Sequence, residues 1–326
     1  MSTPTVTPMP ALPPVGRSVR AYFAPVDRVH RVPTLFDPSV NGRFSVNAPP
    51  PPWVSLGWIE NFTRKSTSKF GELVTGSPGA TQFQVRETVD ATVSFRFKAW
   101  SKLSMALAAG SQHMNLIVPA AGGTANGSGS KGVPSVSLAT GSTATFLALA
   151  ATDAAGFSAG SLVTVDFDYA AQTGYVGSGV CAAYVTSASA VNSDPDYIRR
   201  VSFNVARVAS SSSTGLQLAQ PLLAGVPAAG MRVQPISGFV DREGGSFFQE
   251  WSALFVVDGE QGERILFHYP RLQSMTGPAE SATALAPPLE RIALSAAFRA
   301  LPVTDANDGE QVVCFRSFLP SPVTLI

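Results

Sequence analysis

The sequence predicts a mainly β protein: a β-sandwich or barrel-forming protomer with long strands, one short flanking helix and an extended N-terminal arm. Three observations predict it. Thr88 to Ala99 alternates polar and apolar residues without a break, and Glu290 to Leu301 holds a second long alternation, in which Ile292, Leu294, Ala296, Phe298 and Ala300 share one face. Turn punctuation is dense throughout, with 28 Gly and 26 Pro in 326 residues.

Taken in order, residues 1–16 hold Pro4, Pro8, Pro10, Pro13 and Pro14, and residues 49–52 are four prolines in a row, a composition that favours extended, polyproline-like backbone. Arg17 to Ser45 carries short apolar patches without a period, so 1–56 reads as a proline-rich arm that docks elsewhere. Residues 57–118 read as the first half of the principal domain. Within it, Val89, Ala91, Val93, Phe95, Phe97 and Ala99 share one strand face, and Thr88, Asp90, Thr92, Ser94, Arg96 and Lys98 share the other. Ordinary strands run about 5–6 residues, so this length implies a large sheet or barrel with one wet face. Trp100 to Ala109 changes to helical spacing, with Leu103, Ala106 and Leu107 on one side and Gly110 as the stop.

Residues 119–208 read as a Gly/Ser/Ala-rich loop and small β-sheet insertion. Its strands are Ser161 to Tyr169, with Val163, Val165, Phe167 and Tyr169 alternating, and a second from near Tyr197 to Val208, followed by a flexible serine tip at 210–213. Residues 209–326 supply the second half of the principal domain. A hairpin joins Ala253–Val257 to Arg264–Tyr269 across a polar turn. The next strand places Ile292, Leu294, Ala296, Phe298 and Ala300 against Arg291, Ser295 and Arg299, and after a turn at Asp305 to Glu310 the last strand runs from Val312 to Leu319.

Charged residues are 14% of the chain, against roughly 25% in typical soluble proteins. The deficit is local, since residues 101–190 carry only Lys102, Lys131, Asp153, Asp166 and Asp168. That pattern predicts that the middle region and the arm are largely contact surface. A net charge of +1 with no basic run longer than two offers no field for tight nucleic-acid binding. The start of the chain lacks the pattern of a signal peptide, no stretch supplies about 20 consecutive apolar residues, and Cys181 and Cys314 read as free thiols of a reducing compartment.

Each motif with catalytic potential has a plainer explanation. Gly156-Phe157-Ser158-Ala159-Gly160 matches a nucleophile pattern, yet a strand rather than a helix follows it. Gly127 to Gly132 resembles a phosphate loop only faintly and reads as a flexible loop, and Asp305 to Glu310 misplaces the glycine of a calcium loop. His30, His113 and His268 are widely separated and read as surface or interface residues. The pairs Asp166/Asp168 and Asp194/Asp196 read as solvated structural acids. The expectation is a non-enzyme with no cofactor and no metal.

The order of parts resembles the tail tube (major tail) proteins of tailed bacteriophages. The likeness is carried by Gly71-Glu72-Leu73-Val74 leading into the Thr88–Ala99 strand, the Trp100–Ala109 helix, and Gly262 to Phe298, about half of the chain. The resemblance implies a β-sandwich protomer, rings of six copies, and stacked rings whose long strands close a lumenal barrel. It implies as partners the chain itself and other tail proteins, DNA only as transient cargo, and no stable membrane association, in a virion tail assembled in the host cytoplasm. In that light Thr88, Asp90, Thr92, Ser94, Arg96, Lys98, Arg291, Ser295 and Arg299 are the lumen or ring-contact candidates. A mixed, weakly charged lining would let DNA slide without sticking. Competing readings are another tail, baseplate or capsid decoration protein and, from a different class, a carbohydrate-binding β-sandwich with Trp53, Trp58 and Trp251 as platforms.

Overall fold

The computed structural model describes residues 16–26, 32–110, 112–178, 183–191, 193–242, 250–260, 262–275, 279–281 and 293–321. The protein is mainly β, as its patterning dictates, and it divides into two compact units. One comprises Met1–Val26, Pro33–Trp100 and Glu250–Ile326; the other comprises Ser101–Gln249 with Asp27–Val32.

The first unit is built from β1 (Gly16–Pro25), β2 (Val54–Thr75), β3 (Ala80–Phe97), β15 (Glu250–Gly259), β16 (Arg264–Ser274), β17 (Ala279–Ser281), β18 (Ala293–Ala300), β19 (Val303–Thr304), β20 (Gln311–Val312) and β21 (Phe315–Leu319), with the short helix α1 (Pro38–Asn41). Antiparallel pairing runs β18-β3-β2-β1-β15-β16, and β16 then pairs back to β18 through Leu272↔Ala300, Gln273↔Arg299 and Ser274↔Phe298. Six strands therefore close a ring. Closure removes sheet edges and leaves alternate side chains pointing inward. Phe23, Phe95, Phe255 and Phe298 fill that interior in mutual ring contacts of 5.5–6.3 Å, joined by Trp251 and Tyr269. Each such ring contributes about 1.5–3 kcal/mol by leaving water.

The expected arm over 1–56 is corrected by this topology from Gly16 onward, while residues 1–15 lie outside the described residues. Gly16–Pro25 is a central strand, hydrogen-bonded to β15 on one side and β2 on the other, and Ala21 to Ala24 are fully buried. From Ala21 to Ala24 strand β1 is apolar on both faces because both are covered. Phe23 points into the barrel, while Tyr22 and Ala24 join Leu254, Val256 and Leu266 in a second core under Phe36 and Trp53. Instead of extended backbone, the prolines at 49–52 form a turn that the Trp53 amide closes onto the Pro50 carbonyl, and this brings Trp53 over the core.

The second unit begins with α2 (Lys102–Ala109), whose N-cap Ser101 and Ser104 form a reciprocal capping box and whose C-cap Gly110 takes the left-handed conformation at φ 61°. It continues through β4 (Gln112–Ile117), β5 (Ala125–Asn126), β6 (Gly129–Ser130), β7 (Val136–Ser137), β8 (Phe146–Ala148), α3 (Ala151–Ala154), β9 (Leu162–Asp166), β10 (Gly174–Val176), β11 (Ala183–Val185), α4 (Tyr197–Val201), β12 (Val205–Ser212), β13 (Gly215–Leu218) and β14 (Arg232–Arg242). Its sheet runs β4-β14-β9-β12-β13-β8, with β7 also on β14. The expected insertion at 119–208 is thus corrected to 101–249: β14 lies past its far boundary yet pairs with both β4 and β9, and α2 packs on β4 and β14. Tyr197 starts helix α4 rather than a strand, the serines at 210–212 lie within β12, and Asn126 to Gly129 turns a tight hairpin rather than a flexible loop.

On one face of that sheet Val163, Val165, Val208, Leu216 and Val233 form an apolar core. The opposite face receives α4 and a buried polar network. Arg199 is fully buried, with Nε donating to Gln234 Oε1 at 2.8 Å, Nη2 to Asp196 Oδ1 at 2.8 Å and Nη1 to Asp168. Asp166, also fully buried, accepts from Ser202 at 2.8 Å, from Ser178 at 2.9 Å and from the Phe167 amide at 2.9 Å. Lys102 donates to Asn115 and to the Ser202 carbonyl. Solvated acids at 166 and 196 are therefore corrected: these carboxylates are interior groups, and burial of an ion is tolerable only with this degree of pairing.

Candidate assembly surface

Strands β2 and β3 are far longer than the barrel that they help to close. Strand β1 pairs with β2 only from Val54 to Ile59, and β18 pairs with β3 only from Thr92 to Phe97. Beyond those limits the two strands pair with each other alone, out to Val74↔Thr81 and Thr75↔Ala80. At about 3.4 Å per residue, Lys65–Thr75 extends roughly 35 Å past the last barrel pairs. Nearly every residue from 63 to 90 is exposed, including Phe70, Leu73, Val74, Phe83 and Val85 at 46–63% exposure. A lone two-stranded ribbon is marginal in water, and a long free edge with apolar side chains is a template for pairing.

The ribbon's faces follow from its register. Lys65↔Thr92, Thr67↔Asp90 and Lys69↔Thr88 are opposed, then Glu87 is passed over and Phe70↔Arg86, Gly71↔Val85, Glu72↔Gln84 and Leu73↔Phe83 continue. One unpaired residue is a β-bulge, and in a period-2 strand it exchanges the faces beyond it; Gln82, passed over between Leu73↔Phe83 and Val74↔Thr81, is a second bulge that sets Thr81 and Val74 on the face of Gln84. Glu87 bonds Lys69 at 3.0 Å, and a Cβ built on Gly71 would stand 2.6 Å from the Glu87 carboxylate, so Lys69, Gly71 and Glu87 share a face. By alternation Leu73, Phe83 and Val85 share it too. The other face is tied by Gln84 Nε2 donating to Glu72 Oε1 at 3.0 Å, Thr81 Oγ1 donating to Glu72 Oε2 at 3.3 Å, and the Arg86 guanidinium over the Phe70 ring at 5.7 Å.

Most of the residues singled out from sequence meet on one surface. Register sets Thr92 opposite Arg299, Ser94 opposite Ala297 and Arg96 opposite Ser295, so these positions of β3 and β18 form one outward row that Asp90 and Thr88 continue along the ribbon. Arg299 Nε reaches Asp90 at 3.1 Å, and Lys98 Nζ reaches Glu60 at 3.2 Å. Arg291 lies outside the described residues. The ribbon tip escaped the sequence reading. Its signal was present as a lone glutamate in an otherwise apolar row: Phe83, Val85, Glu87, Val89, Ala91, Val93.

Other candidates take different places. Trp53 and Trp251 are buried, and Trp58 lies under the Arg20 guanidinium at 4.2 Å, which overturns their role as exposed carbohydrate platforms. His113 and His268 are interior rather than surface residues, while His30 and Cys181 lie outside the described residues. Burial drives the pKa of His268 down to about 4, against a modest opposing hydrogen bond to the Thr34 carbonyl at 3.3 Å. Burial likewise lowers the pKa of His113, which has Asp241 at 3.7 Å. His268 lines a cavity of about 250 Å³ with Leu35, Phe36, Leu266 and Phe315, a recess suited to an apolar group. Ser158 sits in a turn before β9, without the helix that a nucleophile elbow needs. Cys314 is a half-buried free thiol whose pKa burial raises.

Among the described residues no helix is long and apolar enough to cross a membrane, and no group of three or more His, Cys, Asp or Glu is placed to hold a metal ion. No protein-family model matches the chain, and no curated protein matches it.

Proposed function

We propose that the chain is a structural virion protein, a tail tube subunit that assembles in stacked rings of six to form the conduit for DNA delivery. The observation that carries this reading is the projecting β2–β3 ribbon: two free backbone edges of similar length and an exposed apolar row, attached to a closed barrel. Such a ribbon gains its missing hydrogen bonds and cover when the β2 edge of one copy meets the β3 edge of the next, a head-to-tail contact that a rotation can close into a ring. Its partners are then other copies and other tail proteins. DNA passes as cargo along a weakly charged surface rather than a basic groove. The site of action is the virion tail, assembled in the host cytoplasm.

Negative-stain microscopy of the purified chain over a range of concentration tests this directly. Hollow rings or tubes are the expected result. A monomer at every concentration that binds an immobilised glycan would replace this reading with that of a binding module.

A further inference from the structure

Resting on the tube-subunit reading, we infer that the bulge at Glu87 divides the ribbon into a self-contact face and a water face. The row Leu73, Phe83 and Val85 seats against a second copy of this chain, and the row Glu72, Thr81, Gln84 and Arg86 faces the water of the conduit.

The argument begins inside the barrel. Val93, Phe95 and Phe97 fill the interior from alternate positions of β3, and the same odd-numbered parity continues outward as Ala91 and Val89. Without a bulge, Val85 and Phe83 would extend that row on the barrel's inner side. Glu87 has no partner in the register, so they emerge instead on the face of Lys69, Thr88 and Asp90. Gly71 leaves room beside it for the Glu87 carboxylate. The result is a tip with Leu73, Phe83 and Val85 on one side and only Phe70 and Val74 among its apolar residues on the other. Its other side already satisfies its polar groups internally, through the Glu72 contacts to Gln84 and Thr81, and covers Phe70 with Arg86.

Charge identifies the occupant of the apolar side as another copy. On that same face β2 contributes Lys65 and Lys69, and β3 contributes Glu87 and Asp90. The β2 edge of one ribbon therefore meets the β3 edge of the next with opposite sign, and every contact around the ring repeats that match. Identical apolar rows then abut in one continuous band, with the paired charges beside it excluding water.

The test compares Phe83→Glu with Gln84→Glu, neighbours in sequence on opposite faces, together with insertion of one serine between Lys69 and Phe70, opposite Glu87. Assembly is followed by sedimentation velocity and negative stain, and folding by the thermal melt, which substitutions outside the barrel core leave in place. Phe83→Glu is expected to raise the concentration needed for assembly about tenfold or more, whereas Gln84→Glu assembles like the parent. Inserting one serine between Lys69 and Phe70 gives Glu87 a partner in the register, retains every apolar residue and returns Leu73, Phe83 and Val85 to the inner side, so it also abolishes normal assembly. Tubes from the parent with equal tubes from Phe83→Glu, or equal loss in both point variants, would overturn the face assignment while leaving the tube reading intact. A parent chain that never assembles would remove both.

Discussion

The two units solve the problem of a sparsely charged chain in opposite ways. The barrel keeps its interior aromatic, with Phe23, Phe95, Phe255 and Phe298 in contact, and holds Arg299–Asp90, Lys98–Glu60 and Lys69–Glu87 on the outside, with Arg264–Asp258 and Arg271–Glu250 half-buried. The unit spanning 101–249 moves charge inward. Arg199, Asp166, Asp196 and Lys102 are buried, so part of an already small charge complement is withdrawn from its surface. Charge depletion in a sequence thus has two meanings that composition alone cannot separate: surface that another subunit covers, or charge spent on an interior. Here the α4 network shows the second, whereas the projecting ribbon is not depleted at all, with Arg64, Lys65, Lys69, Glu72, Arg86, Glu87 and Asp90 among residues 63–90.

The largest effect should come from breaking that network. Arg199→Ala strips Asp168, Asp196 and Gln234 of a common, fully buried partner; Asp168 is half-exposed, but Asp196 and Gln234 are buried, and cutting one member from a buried pair typically costs about 3–5 kcal/mol. Calorimetry of the full chain should show the transition of the 101–249 unit fall sharply while that of the barrel stays in place. A loss of under about 1 kcal/mol would mean that the network is far wetter than its geometry indicates.

Acid should separate the units by a different route. His268 stays neutral in the folded barrel down to about pH 4, whereas an unfolded chain protonates it near 6.5. Protonation therefore favours the unfolded state: stability is complete above about pH 6.5 and declines as the pH falls, by about 3 kcal/mol once the pH passes below 4. The His268→Asn variant should flatten this part of the barrel's pH–melting curve. If the variant and the parent lose stability in parallel between pH 6.5 and 4, the titrating group is elsewhere. His113 has its pKa lowered in the same direction in the other unit, so removing His268 should leave the acid response of that unit unchanged.

Patterning made the barrel legible and left the second unit obscure, for a physical reason. The runs Thr88–Phe97 and Leu294–Ala300 alternate cleanly because each has one face on an aromatic core and one outside, and period 2 reports that asymmetry. Strand β1 reads as irregular patches because both its faces are buried. Asp166 and Arg199 mislead in the same way: a sequence reports the charge but not the Ser178, Ser202 and Gln234 that solvate it inside. The ribbon tip was legible only through Glu87, and a single polar residue in an apolar row has no fixed meaning until the register shows which residue it fails to face.

The smallest expected effect sharpens the contrast most. Arg299 and Asp90 make an ion pair of 3.1 Å, comparable in length to the Arg199–Asp196 pair, but their side chains are 54% and 58% exposed where Arg199 has none. In water the Coulomb gain is screened, and two long side chains lose rotamer freedom to hold the contact, so exposed pairs contribute about 0–1 kcal/mol. Arg299→Ala should therefore move the melting transition of the isolated subunit hardly at all, and 0.5 M salt should erase even that difference. On the assembly reading, Arg299 borders the Asp90 end of the β3 edge, where a neighbour's Lys65 and Lys69 arrive. Removing it leaves Asp90 more available to those lysines, so assembly should proceed at equal or lower protein concentration. A large loss of subunit stability in Arg299→Ala would show that this surface is held by the same kind of desolvated network as α4, and the division between the two units would collapse.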